Sequence, residues 1–146
     1  MVTKEQLYVE CRFVRDIAKE IYDDRSTGLD YMRFDRFPAG WCGTLANVLC
    51  VWFGQKFPNE DFFYVCGNAG RQTHAWVKYK SLIIDITADQ FDGCSEEILI
   101  IESKKSPLHK KFKVEDKPVR KDIADVNYQP DNYIYQVLVS KKDSVI

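Results

Sequence analysis

Over the first two dozen residues, apolar positions recur at alternating steps of four and three: Leu7, Cys11, Val14, Ala18 and Ile21, widened by Phe13 and Ile17. That period predicts an amphipathic helix over about residues 4–23, with Cys11 on its buried face. Thr3 and Gln6 stand in capping-box positions at its start. A different pattern begins at residue 42. Leu45, Ala46, Val48, Leu49, Cys50, Val51, Trp52 and Phe53 leave no polar face. A helix from about Cys42 to Phe53, stopped by Gly54, is therefore a central buried one, and Cys50 is core. Phe62–Cys66 reads as a strand from its aromatic and β-branched content. Thr73–Tyr79 and Leu82–Thr87 read as two more, joined by a tight turn at Lys80-Ser81. Glu97–Glu102 and Tyr133–Ser140 are predicted strands. Lys104–Lys117 is a basic, Pro-punctuated loop, and the last six residues a frayed tail. The stretch 24–40 is a long loop with Tyr31, Phe34 and Phe37 interleaved with Arg33 and Arg36. It is either a crossover whose aromatics plug the core or a substrate-contacting loop.

These elements describe one α+β domain over residues 1–146, a central buried helix packed on an antiparallel sheet and covered by the first helix. Composition changes little in that picture: 45% apolar and 29% charged residues are ordinary for a globular chain. A net charge of −1 without a basic block argues against a nucleic-acid partner. No apolar run reaches about 18 residues and no signal peptide is evident, so no membrane association and a cytoplasmic location are expected. The five Cys are odd in number and contain no CxxC pair. That speaks against a disulfide framework or zinc site and for a reducing compartment; no metal or cofactor is expected. Nothing in the pattern sets an oligomeric state.

The candidate chemistry begins at Pro38-Ala39-Gly40-Trp41-Cys42-Gly43, where a Gly-rich turn runs into the buried helix. A free Cys is often a small buried apolar residue. A thiol in a helix's first turn, however, meets unpaired N–H groups and the positive end of the dipole, which favour the thiolate. Gly40 and Gly43 let a substrate backbone approach. The chain has only two His, His74 and His109, and His109 lies in the basic loop, where solvent exposure is expected. With a two-residue turn, Trp76 lies opposite Asp85 and His74 opposite Thr87. His74, Trp76 and Asp85 then share one face, and diagonal neighbours about 5–8 Å apart can touch. Asp in the run Leu-Ile-Ile-Asp-Ile-Thr needs a partner if buried, and His74 supplies one. Asp89, at even spacing beyond Asp85, is the fallback acid.

In this order, Gly40-Trp41-Cys42-Gly43, Val65-Cys66-Gly67, His74-Ala75-Trp76-Val77 and Asp85-Ile86-Thr87 resemble the transglutaminase-like branch of the papain-like cysteine enzymes. The resemblance covers roughly residues 38–91. Ile86 stands where the family has Pro, and no papain-type Gln closely precedes Cys42. The resemblance implies a papain-like or transglutaminase-like core and a Cys42–His74–Asp85 triad acting on a protein or peptide amide. Cys42 would be the nucleophile, His74 the proton carrier and Asp85 the orienting acid. Trp41, Gly43, Trp76 and Gln90 would border the substrate. By analogy alone, a small enzyme of this kind is a bacterial or phage effector or toxin delivered to modify a host protein. A peptidoglycan-peptide amidase and a non-catalytic binding or immunity domain are the alternatives.

Overall fold

The computed structural model describes residues 1–24, 26 and 37–144. Helix α1 runs Lys4–Asp23. Its capping box is closed by the Gln6 N–H donating to Thr3 Oγ1 (3.1 Å) and the Thr3 N–H donating to Gln6 Oε1 (2.8 Å). Leu7, Cys11, Val14, Ala18 and Ile21 are all buried, as the period requires. Helix α2 runs Cys42–Lys56, with Leu45 to Phe53 buried without a break. It passes Gly54 instead of stopping there. The Phe57 N–H closes on the Phe53 carbonyl at 2.8 Å, and the Phe57 ring packs against Phe53 and Phe62, so packing overrides the glycine.

Four antiparallel strands form one sheet in sequence order: β1 (Phe62–Ala69), β2 (Gln72–Tyr79), β3 (Leu82–Asp85) and β4 (Leu99–Glu102). The β2–β3 turn is the two-residue Lys80-Ser81, with Tyr79 paired to Leu82 and Val77 to Ile84. Lys80 takes the left-handed φ of 53° that such a turn needs. One sheet face, carrying Phe62, Val77, Tyr79 and Ile84, joins the core built by the helices. The other carries Val65, Trp76 and Ile83 beneath Phe112.

Two further expectations fail here. Tyr133–Ser140 is not a strand: it lies within helix α4 (Asp131–Ser144), which packs on α1 and α2. Ile134 and Leu138, four apart and fully buried, set its inner face. The basic segment 104–117 is not a solvated loop. It contains the short helix α3 (Pro107–Lys110) and crosses the outer edge of β1 through an Asn68–Lys113 bridge. Its lysines point outward while His109 and Phe112 are buried. Of the stretch 24–40, Phe37 is buried against Tyr22 and Trp41. Tyr31, Arg33, Phe34 and Arg36 lie outside the described residues. Among the described residues, no helix is long and apolar enough to cross a membrane.

Candidate active site

Gly40, at φ 81°, turns the chain into α2, where Cys42 is the first helical residue. The N-cap, Trp41, makes no side-chain cap bond, so the first-turn N–H groups are not claimed by a cap side chain. The Gly43 N–H, and the Ala75 N–H of β2, donate to the Cys42 sulfur. Partial burial pushes the thiol up. The hydrogen bond and charge of His74, then these two N–H groups, outweigh that and lower it below its ordinary value. The space enclosed by Cys42, Ala46, Ala75, Ile84 and Asp85 is too tight for a water molecule.

His74 and Asp85 meet as the register requires. His74 Nε2 donates to Asp85 Oδ2 at 2.6 Å, and both side chains are almost fully buried. Asp85 Oδ1 accepts from the Thr87 N–H at 2.9 Å and the Thr87 hydroxyl at 3.3 Å. With Nε2 committed to the carboxylate, Nδ1 is left for the Cys42 thiol. It is a buried atom that no group among the described residues bonds at ordinary hydrogen-bond geometry. Burial works against charging His74, but the bonds to Asp85 and then to Cys42 push it up to about 9. Burial likewise opposes the Asp85 anion, yet His109 and His74 hold its carboxyl well below the usual range. Both shifts run toward a Cys42 thiolate facing a His74 imidazolium. Burial instead raises the thiols of Cys11, Cys50 (to about 12) and Cys66.

The other expected site residues are more scattered. Trp41 is 1% exposed and packs edge-on against Phe37 and Tyr22, so it belongs to the core and not to a substrate surface. Gly43 is half-buried; a Cβ there would stand 3.8 Å from the Tyr64 hydroxyl. The Trp76 side chain joins the second apolar cluster and lines a cavity of about 300 Å³ on the sheet face away from α2. Gln90 Nε2 donates to the Thr87 carbonyl at 3.0 Å, closing the turn after β3. Asp89 is held by Arg15 of α1 in a two-pronged pair at 2.7 and 2.9 Å. Arg15 also donates to the Ile86 and Glu97 carbonyls.

His109 is the main residue missed. Expected in solvent, it is 4% exposed, and its Nε2 donates to Asp85 Oδ2 at 2.7 Å. Its Nδ1 lies 2.5 Å from Ser106 Oγ, the N-cap hydroxyl of α3. Burial brings the histidine in because its partner, Asp85, is itself buried and needs donors. One ligand atom each of His74, Asp85 and His109 lies within 4.8 Å of the others, a spacing open to a metal ion. The 2.6 and 2.7 Å separations are hydrogen-bond lengths. Ligands each about 2.0–2.1 Å from a shared tetrahedral ion stand more than about 3 Å apart. The trio therefore reads as a hydrogen-bonded cluster. Compared with protein-family models, curated proteins and solved structures, the chain shows no match.

Proposed function

We propose that this chain is a cysteine-dependent hydrolase or acyltransferase with a papain-like or transglutaminase-like core, acting on a protein or peptide amide bond. The observation that carries the reading is the buried His74–Asp85 pair, which leaves one imidazole nitrogen, Nδ1, for a half-buried thiol at a helix start. The Cys42 thiolate attacks the amide carbonyl, with its own backbone N–H available to the developing oxyanion. Tyr64, whose phenol burial pushes up to about 12, stays protonated against Gly43. The His74 imidazolium gives its Nδ1 proton to the departing amine, leaving a Cys42 acyl-enzyme. His74, now neutral, takes a proton from water for hydrolysis or deamidation, or from an incoming amine for acyl transfer. Asp85 holds the ring throughout.

Limited iodoacetamide labelling at pH 7, read by peptide mass spectrometry, tests this. Cys42 should react ahead of the other four thiols and lose that lead in His74→Ala. Reaction of Cys42 no faster than exposed Cys66 would overturn the assignment. Mass changes on proteins of a cell lysate, absent with Cys42→Ala, then separate cleavage, deamidation and transfer.

A further inference from the structure

Asp85 carries more than an orienting acid needs. Its Oδ2 accepts two imidazole N–H groups, from His74 at 2.6 Å and His109 at 2.7 Å. The second ring is fixed from behind. Ser106 Oγ accepts the His109 backbone N–H at 3.3 Å, and its own proton is free to go to His109 Nδ1, 2.5 Å away. That places the neutral ring's proton on Nε2, facing the carboxylate. Trp76 lies edge-on to the same ring at 4.8 Å, which limits its rotation.

We propose that His109 is a positioning residue of this site: held in place by Ser106, it shares the Asp85 oxygen with His74 and limits how tightly Asp85 holds the His74 proton. The inference deepens the cysteine-enzyme reading and rests on it for its functional meaning. An N–H donor stabilises the carboxylate anion, so the negative charge offered to His74 is diluted. Without the donor, Asp85 would sit against apolar rings with its charge less satisfied, and the His74–Asp85 pair would keep its proton to higher pH. A general acid must release that proton in every cycle, so dilution keeps His74 nearer the working range. His109 contacts neither the thiol nor the substrate's reacting atoms; it acts through Asp85.

Among the described residues, the following groups face this cluster. Cys42 comes from α2, Cys11 from α1 faces Asp85, and Arg15 of α1 reaches the neighbouring Ile86 carbonyl. Tyr64 and Cys66 of β1 face Cys42. His74 itself is enclosed by the rings of Trp76, Phe91, His109 and Phe112.

The chain has only two histidines, so ¹⁵N-histidine NMR of the full-length protein reads both rings directly. In the wild type, the neutral His109 ring should carry its proton on Nε2. In His109→Phe, the His74 midpoint should rise by about one pH unit or more, the worth of one hydrogen bond to a charged group. His109→Gln, whose amide N–H can replace Nε2–H, should bring the midpoint at least half way back. Ser106→Ala, which loosens the His109 ring without removing it, should leave the fold intact and raise the His74 midpoint by a smaller amount, which keeps the idea testable if His109→Phe fails to fold. An unmoved His74 midpoint in folded His109→Phe, equal shifts in the Phe and Gln variants, or an unmoved His74 midpoint in Ser106→Ala would each overturn the proposal. Cys42→Ala separates this from the reading beneath it. That variant should lower the His74 midpoint; no change would remove the thiolate–imidazolium pair while leaving the His109 result standing.

Discussion

Asp85→Asn perturbs the most connected side chain of the site. The carboxylate accepts at both oxygens: two imidazole N–H groups on Oδ2, the Thr87 N–H and hydroxyl on Oδ1. An amide matches this volume but has one acceptor oxygen and one NH₂ group. If its oxygen faces the histidines, its NH₂ meets the Thr87 N–H; turned round, it meets two imidazole N–H groups. Losing the charge costs about 1 kcal/mol for each imidazole bond, the difference between charged and neutral partners, and an orphaned buried donor adds about 1–3 kcal/mol. The expected loss is about 3–5 kcal/mol at pH 7, against about 5–15 kcal/mol for a typical domain. The variant should therefore fold but melt early. The sign of the pH dependence follows from the depressed carboxyl. Its contribution is present above the unfolded carboxylate pKa of about 3.9 and is lost as pH falls toward the lower folded value. Urea denaturation at pH 7 and at about pH 3 should show the gap between the two proteins shrink on the acid side. A loss below about 1 kcal/mol at pH 7 would mean that the Asp85 cluster is not held as described. A gap that is the same at both pH values would refute the charge argument itself. Turnover should fall less than in His74→Ala, because the thiolate also draws on imidazolium and helix start.

Cys42→Ser should abolish the fast iodoacetamide labelling, leaving only the slower thiols, and abolish substrate modification with little loss of stability, since Cys42 is half-buried at a helix end. Cys50→Ser should do the reverse, costing about 1–3 kcal/mol because it puts a hydroxyl in the core at a residue 1% exposed; thermal melts beside labelling separate the two. Asp89→Asn should leave Cys42 labelling nearly intact but cost about 3–5 kcal/mol in urea, because it strands the buried Arg15 guanidinium. A silent Asp89→Asn melt would show that Arg15 is satisfied by the backbone carbonyls alone.

What the sequence made legible was local. The α1 stripe, the all-apolar α2 and the Lys80-Ser81 hairpin follow from periods of 3.6 and 2 and one turn, and the hairpin's parity was enough to bring His74 to Asp85. What stayed hidden depended on contacts far along the chain. Tyr133, Ile134, Tyr135, Val137 and Val139 are strand-type residues, yet they form α4 because α1 and α2 leave a groove for Ile134 and Leu138. Trp41 sits beside Cys42 in sequence but turns to Phe37 and Tyr22, since an indole next to a buried helix start gains more from the core than from the surface.

The missed histidine is the most instructive case, because two signals for it were present. Ser106-Pro107 is an N-cap followed by proline at the first helical position, a helix start written inside what read as a basic loop. His109 and Phe112, three apart, then fall on one side, and the intervening lysines fall on the other. The second signal was the accounting at Asp85. An ionised carboxylate offers about four acceptor sites, and a buried one must fill most of them. His74 can fill one, and the backbone and hydroxyl of Thr87 fill two. A further donor was required on a strand flanked by Ile84 and Ile86, and the chain holds one other histidine. The demand of a buried charge, followed to its last lone pair, points to His109 across 24 residues of sequence.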